Sequence, residues 1–217
     1  MSGAAADAGT ALDVLIPTFE RPAALAITLT SLIAQTHPDL RVVVSDQSRR
    51  AASFDAPEVM AAVRVLRARG RAVELHRHLP RRGLAEQRQF LLDHVRAPYC
   101  LFIDDDVILE PDLIERMWRT IGEEGCGLVG VGLIGLSFAD DERPDEQALE
   151  LWEGPVEPEL VTPGSPAWER YKLHNAANLL HVARRLRLPS GARLRYKLAW
   201  AGGCVLYDTE ALREVGG

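Results

Sequence analysis

Tyr99-Cys100-Leu101-Phe102-Ile103-Asp104-Asp105-Asp106 is the stretch on which the reading of this chain turns. Five uncharged residues run straight into three carboxylates. A short run that is apolar on both faces reads as a buried parallel strand, and the C-terminal ends of such strands are where α/β sheets bind ligands. Three adjacent carboxylates repel one another unless solvated, partly protonated or bound to a cation. In an extended chain alternate side chains share a side, so Asp104 and Asp106 are expected to converge on one ion while Asp105 faces away. Oxygen-only ligands suit Mg²⁺ or Mn²⁺, which keep waters and take substrate phosphates. The plainer readings are a helix cap and a solvated acidic turn. The cap fails on spacing, because Val107, Ile108 and Leu109 separate the cluster from a helix expected to open at Pro111. The solvated turn stays open.

On the N-terminal side, apolar strand-like runs alternate with amphipathic helices. Val14–Ile16 is a short strand closed by Pro17, and Pro22 opens a helix whose Leu25, Leu29, Leu32 and Ile33 recur at helical spacing. Leu40–Val44 is a second strand, with Ser45, Asp46, Gln47 and Ser48 at its polar end. A helix over Pro57–Arg69 ends at Gly70, Ala72–Leu75 is a weaker strand, and Leu84, Leu91, Leu92 and Val95 mark one more buried helix face. This βαβαβ rhythm predicts a parallel sheet with helices on both sides. Right-handed crossovers then bring Asp46 and the three aspartates to one sheet edge, though they are far apart in sequence. Asp46 is expected at the exposed end of its strand.

The C-terminal side is less regular. Leu128–Leu136 and Leu198–Tyr207 are strand-like, Ala139–Pro166 is an acidic, Pro-rich excursion, and Trp168–Leu186 reads as a helix. Asp208 or Thr209 caps a short helix running to Val215. The chain is expected to divide into a tail over 1–11, a ligand-binding half over 12–136 and a second half over 137–217.

Composition bounds the function. The chain has 217 residues, 47% hydrophobic and 26% charged, which suits one α/β domain with a full core. A net charge of −6 argues against a nucleic-acid partner. The three cysteines, Cys100, Cys126 and Cys204, form no Cys-x-x-Cys pair. They point to a reducing, cytoplasmic setting rather than a zinc or disulfide framework. No apolar run approaches the ~20 residues of a membrane span, and Met1–Thr10 lacks the features of a signal peptide.

Arg88 stands four residues from Leu84 and four from Leu92, on an apolar helix face, where an arginine needs an anionic partner. That partner is either an aspartate of the cluster or a bound ligand. Phe19 either stacks on a ligand or packs. Arg81 and Arg82 read as a solvated basic pair. His174, Asn178 and His181 share a helix face but make a poor metal site. Trp200, beside Gly202-Gly203, is either a core residue or an aromatic platform for a sugar.

Several segments together resemble family 2 glycosyltransferases of the GT-A fold. Val14-Leu15-Ile16-Pro17-Thr18-Phe19-Glu20-Arg21-Pro22 resembles the family's opening strand and loop, Gln35-Thr36-His37-Pro38 its helix end, and Val43-Val44-Ser45-Asp46-Gln47-Ser48 its second strand end. Gly83-Leu84-Ala85-Glu86-Gln87-Arg88 is similar to its helix start, and Phe102-Ile103-Asp104-Asp105-Asp106 to its DXD segment. Gly202-Gly203-Cys204-Val205-Leu206-Tyr207, with Ala211-Leu212 and Gly216-Gly217, resembles its acceptor-side strand and helix. Ser45-Asp46 stands where the family often has Asp-Asp, and Glu20 where it usually has Asn.

The resemblance implies a Rossmann-like α/β GT-A domain and an inverting glycosyltransferase. It would move a sugar from a nucleotide-diphosphate donor to a carbohydrate or other hydroxyl acceptor. Pro17, Thr18, Phe19, Glu20, Asp46, Arg88, Asp104 and Asp105 would bind the nucleotide, with Asp46 on the base. Asp104 and Asp106 would hold Mn²⁺ or Mg²⁺, and Trp200, Gly202 and Gly203 would face the acceptor. The catalytic base is expected in an acidic segment C-terminal to Gly217, so that this chain alone binds donor but transfers sugar poorly. Two other readings compete: a non-catalytic nucleotide-binding fragment or pseudoenzyme, and a haloacid-dehalogenase-type phosphatase with Asp104 as nucleophile. The second is disfavoured because that motif normally begins a chain's first strand, whereas here it closes the third or fourth.

Overall fold

A computed structural model describes residues 11–133, 161–169 and 202–217. Met1–Gly130 and Gly203–Gly217 form one compact unit, and Val131–Gly202 forms another. The final segment, expected in the second half of the chain, therefore returns to the first unit.

That unit is built on a six-stranded sheet: β1 (Leu12–Thr18), β2 (Leu40–Asp46), β3 (Ala72–Arg77), β4 (Tyr99–Ile103), β5 (Leu128–Gly130) and β6 (Cys204–Asp208). Their spatial order is β3-β2-β1-β4-β6-β5. β1 pairs in parallel with β2 on one side and β4 on the other, and β2 pairs in parallel with β3. β6 runs antiparallel to both β4 and β5, so the expected parallel sheet carries a mixed edge. β1 and β2 are buried along their whole length. Valine and isoleucine fill such strands because no face meets water.

The helices are α1 (Pro22–Ile33), α2 (Pro57–Ala68), α3 (Leu84–Asp93), α4 (Leu113–Glu124) and α5 (Thr209–Glu214). Proline opens α1 and α2, where its missing N–H costs nothing. Gly125, at φ 58°, closes α4 in the left-handed conformation. Asp208, the expected cap of α5, accepts the Ala211 N–H at 2.9 Å. α3 packs on β1 and β2, and Leu91, Leu92 and Val95 join Leu15, Val43 and Cys100 in one core cluster. Leu84, expected on that buried face, is 53% exposed.

The order β2-β1-β4 matters most for function. The chain builds outward from β1 to β3, then crosses back to place β4 on the other side. The ends of β1 and β4 therefore flank a topological switch point, where α/β sheets open a crevice.

At the opposite edge of the same strands lies an ion-pair network that local sequence patterns did not reveal. Asp13 is fully buried and sits opposite Arg41 in register. Arg41 donates to it twice, Nε to Oδ1 at 2.7 Å and Nη2 to Oδ2 at 2.6 Å. The Arg96 and Ala97 N–H groups also donate to Asp13 Oδ2, and Arg41 Nη1 reaches Glu74 at 2.8 Å.

Among the described residues of the other unit, Ser165 caps a helical turn by accepting the Trp168 N–H at 3.1 Å. The remainder of the helix expected over Trp168–Leu186 lies outside the described residues, as do His174, Asn178, His181, Trp200 and most of the acidic excursion. Among the described residues, no helix is long and apolar enough to cross a membrane.

Candidate active site

A cleft of about 330 Å³ opens at the switch point. Pro17, Thr18, Phe19 and Arg21 line it from the loop after β1, Gln47 from the end of β2, Arg81, Gly83, Leu84 and Gln87 from the start of α3, and Asp104, Asp105 and Asp106 from the end of β4. The ends of β2 and β4, expected at one edge from the sequence, meet there with the loop after β1 and the start of α3.

The loop carrying the aspartates is pinned to α1. Thr28 Oγ1 donates to the Val107 carbonyl and accepts the Val107 N–H, both at 3.0 Å. Gln35 Nε2 donates to the Glu110 carbonyl at 2.8 Å, and its Oε1 accepts the Ile114 N–H at 3.2 Å. On the other flank the Asp104 N–H donates to the Gly203 carbonyl at 2.9 Å. Gly203 thus braces the cluster through its backbone. α4 begins at Leu113, two residues beyond the expected Pro111, because the Pro111 carbonyl is held by the Thr36 N–H.

The three aspartates have different surroundings. Asp105 is 4% exposed; its Oδ2 accepts the Thr18 hydroxyl at 2.6 Å and its Oδ1 accepts Arg21 Nη1 at 2.9 Å. Burial raises its pKa above the usual 3.8, against the pull of Thr18 and Arg21. Asp106 is half exposed and pairs with Arg21 Nη2 at 2.5 Å. Asp104 is also partly exposed and meets Arg88 Nη2 at 3.3 Å. Of the two partners open to Arg88 from the sequence, an aspartate or a ligand, the structure has the aspartate, and the arginine side chain is partly exposed rather than buried. The hydrogen bond to Asp106, and then the charge of Asp105, raise the Arg21 pKa further.

Asp104 and Asp106 each keep one oxygen that accepts no hydrogen bond from a described residue. Two hard, solvent-facing carboxylates on one cleft fit Mn²⁺ or Mg²⁺, ions that complete their shells with water and phosphate. Among the described residues no three His, Cys, Asp or Glu side chains converge as a closed cage. Asp105, committed to Thr18 and Arg21, holds the loop instead.

Asp46 differs most from expectation. It is fully buried rather than exposed. Its Oδ1 accepts the Ser48 N–H at 2.6 Å and its Oδ2 accepts the Ser53 N–H. Both oxygens fold the loop after β2, and the residue does not line the cleft. Glu20 also stands outside the lining. It is exposed, with φ at 53° and its N–H donating to Ser48 Oγ at 2.8 Å. Phe19 does face the cleft, with the Arg81 guanidinium 4.0 Å from its ring centroid. Arg81 is exposed, as expected of a solvated charge, and also lines the cleft. Gly83, at φ 103°, makes the turn into α3 that a side chain would strain.

Reading the sequence alone missed Arg21, Gln47 and Gln87. Gln87 is 3% exposed, and its Nε2 donates to the Thr18 carbonyl at 3.1 Å and the Ser45 carbonyl at 2.6 Å, tying β1 to β2. A polar residue on the buried side of an amphipathic helix was the available signal. Trp200 lies outside the described residues, and Gly202 belongs to the other unit.

Comparison with known proteins agrees with this geometry. Residues 13–161 match the model of the family described as glycosyl transferase family 2. The succinoglycan biosynthesis protein ExoM of Rhizobium meliloti (strain 1021) is 31% identical over 121 residues, a match covering 54% of this chain and 37% of that protein. This chain thus spans well under half the length of that relative. The mannosyltransferase PcManGT from Pyrobaculum calidifontis, solved with GDP-Man and Mn²⁺, superposes with a TM-score of 0.56 at 16% identity, covering 97% of this chain and 48% of that one. S. aureus TarS 1-349 gives 0.51 at 17% identity over 64% of this chain and 40% of that one. The family match spans more than half of the chain and displaces the phosphatase reading: the chain belongs to glycosyltransferase family 2 and has its Rossmann-like GT-A α/β fold.

Proposed function

We propose that this chain binds a nucleotide-diphosphate sugar across the ends of β1, β2 and β4 and passes the sugar to an acceptor hydroxyl with inversion, in a reaction dependent on Mn²⁺ or Mg²⁺. One observation carries the reading. One cleft is lined both by aromatic and amide groups, at Phe19 and Gln47, and by carboxylates, at Asp104 and Asp106. A nucleotide diphosphate offers the matching pair, an aromatic base and a metal-seeking diphosphate.

Each residue has a distinct task in this reading. Phe19 and the backbone of Pro17 and Thr18 form the wall for the base. Asp104 and Asp106 hold the divalent ion, which when bound neutralises the leaving diphosphate as a Lewis acid. Arg88 orients Asp104, while Arg21 and Thr18 fix Asp105 and so set the loop. A carboxylate base takes the proton of the acceptor hydroxyl; by resemblance it follows the Gly202-Gly203 segment, and no described residue is assigned to it. Asp46 supports the base pocket through its loop. The donors named for the solved relatives, GDP-Man among them, support a nucleotide sugar without selecting one. The acceptor is a carbohydrate or another hydroxyl compound. A cytoplasmic setting belongs to the same reading. It is supported by Cys100, Cys126 and Cys204 standing as free cysteines.

Calorimetric titration of nucleoside diphosphates in Mn²⁺ and in EDTA tests the binding half of this proposal. Affinity should depend on the ion in the wild type and lose that dependence in Asp106→Ala. Equal affinity in EDTA would refute the metal role. Release of nucleoside diphosphate from a donor panel, with and without acceptors, tests transfer.

A further inference from the structure

Arg21, Arg41, Arg88, Arg96, Arg116 and Arg119 each form an ion pair with a carboxylate. Arg49, Arg50, Arg77, Arg81 and Arg82 are different. All are exposed, and none pairs with a carboxylate among the described residues. They are nevertheless held together. Arg77 Nη2 donates to the carbonyls of Arg49 and Arg50, at 3.3 and 2.6 Å. The Arg49 and Arg81 guanidiniums both stand over the Phe19 ring, 5.8 and 4.0 Å from its centroid. Carbonyls and a π-face hold a guanidinium without cancelling its charge. The acids of the adjoining segments do not cancel it either. Asp46 and Asp55 are spent on backbone N–H groups, Glu86 on Gln47 and His78, and Glu20 pairs with no arginine. Uncancelled positive charge is therefore gathered at the C-terminal ends of β2 and β3, on a chain whose net charge is −6. Two leucines are exposed along the same stretch. Leu79, between Arg77 and Arg81 in sequence, is 46% exposed, and Leu84, just after Arg82, is 53% exposed.

We propose that this rim is a docking surface for an anionic membrane, with the arginines on lipid phosphates and Leu79 and Leu84 in the interfacial layer. The combination of side chains selects the partner. A guanidinium binds phosphate oxygens through paired N–H donors, and each cation close to an anionic leaflet gains from its surface potential. A soluble polyanion would use the arginines and leave the leucines in water. A bilayer surface takes both, the cations at headgroup level and the apolar side chains just beneath. The net charge of the chain sets the orientation, because an anionic surface repels the molecule as a whole and attracts this face. Arg81 and Leu84 also line the cleft, so docking by this rim brings the mouth of the cleft to the lipid. The proposal adds a working surface to the nucleotide-sugar reading without resting on it, and its test needs no donor.

The test is co-sedimentation of the 217-residue chain with vesicles of phosphatidylcholine, alone or with about one-third phosphatidylglycerol. The charged vesicles should retain the chain, the neutral ones should not, and retention should fall as salt rises. Arg50→Glu/Arg82→Glu changes two exposed residues outside the cleft lining. One arginine near an anionic leaflet is worth roughly fivefold, so this variant should bind the charged vesicles at least about twentyfold more weakly. Its urea unfolding should match that of the wild type. Leu79→Ser should weaken retention on the charged vesicles and leave binding of inorganic polyphosphate, the comparison probe, unchanged. Equal retention on both kinds of vesicle, or retention that survives Arg50→Glu/Arg82→Glu in a folded protein, would overturn the proposal. Binding of polyphosphate without retention on charged vesicles would overturn it in favour of a soluble polyanion. Full retention of Leu79→Ser would overturn the placing of that leucine in lipid. If Arg50→Glu/Arg82→Glu does not fold, Arg50→Gln/Arg82→Gln and the salt dependence of the wild type decide the matter.

Discussion

The two edges of the same mixed sheet, at the opposite ends of its parallel strands, both carry arginine–carboxylate clusters, and they are built in opposite ways. At the N-terminal edge Asp13 is fully buried and receives four hydrogen bonds, from Arg41 twice and from the Arg96 and Ala97 N–H groups. Nothing is left over for a ligand. At the C-terminal edge Asp104 and Asp106 are partly exposed, and each makes one arginine contact. The first cluster is closed and the second is left open. Burying a charge is tolerable only when its partners are complete, so saturation marks a structural role. Incomplete pairing on a cleft marks a place reserved for something else.

The largest effect should come from breaking the closed edge. Arg41→Met leaves Asp13 buried with no cation, and unfolding in urea should show a loss of about 3–5 kcal/mol. Asp106→Ala and Asp104→Ala remove only half-exposed pairs, so stability should move by about 0.5 kcal/mol or less. Metal-dependent nucleotide binding should be abolished in the first and weakened in the second. A stable Arg41→Met protein, or an unfolded Asp106→Ala protein, would break the comparison.

Asp46→Ala sharpens it. At the C-terminal edge but fully buried, Asp46 belongs with the closed class. Losing its carboxylate strands two backbone donors, at Ser48 and Ser53, and should cost about 2–3 kcal/mol of stability. An exposed strand end would have implied almost none. Chemical denaturation distinguishes the two, and a loss under about 0.5 kcal/mol would return Asp46 to the open class.

The two edges should also respond to pH with opposite sign. Burial pushes the Asp105 carboxyl above its usual 3.8. In the window just above 3.8 the folded state then binds more protons than the unfolded one, so this group's contribution to stability improves as pH falls. For Glu74 burial pushes upward too, but the hydrogen bond and charge of Arg41, with Arg96, outweigh it and hold the carboxyl below its usual 4.5. Its contribution is complete above 4.5 and is lost as pH falls through the depressed value. Comparing stability against pH for Asp105→Asn and Glu74→Gln with the wild type should give difference curves of opposite slope. Slopes of the same sign would contradict the assignment.

How much of this was legible in the sequence follows the range of the interactions. The alternation of strands and helices is local, and it led to β1–β4 and α1–α4 within a few residues. One rule about parallel sheets placed Asp104–Asp106 and Asp46 at one edge; the aspartates line the cleft, Asp46 does not, and Thr18 and Phe19 came from the family resemblance. The Asp13–Arg41 pair followed from neither, because it joins residues 28 apart whose alignment depends on strand register. Reading the first strand from Val14 left Asp13 outside it. The antiparallel edge was hidden likewise, since β5 and β6 are separated by Val131–Gly202. Asp46 and Gln47 could not be told apart by type or position. Only the fold of the next loop decides which one is consumed by backbone N–H groups and which one reaches the cleft.

The smallest effect concerns strain at the open edge. Glu20 holds φ at 53°, the one non-glycine residue in the left-handed region among those described. Asparagine enters that region more easily than glutamate, because its short polar side chain bonds locally to the backbone. Glu20→Asn should therefore stabilise the domain, by about 0.5–1 kcal/mol in thermal or urea unfolding. The Glu20 side chain is exposed and outside the cleft lining. Affinity for a nucleoside diphosphate in Mn²⁺ should accordingly stay the same, even though the loop position resembles a nucleotide contact. The two readouts separate the roles. A gain in stability with constant affinity assigns Glu20 to loop geometry, held there by its N–H to Ser48 Oγ. A fall in affinity would instead place its carboxylate on the ligand and show that the strain serves binding. No gain in stability would mean that the loop relaxes around either residue and that the left-handed turn costs little at this edge.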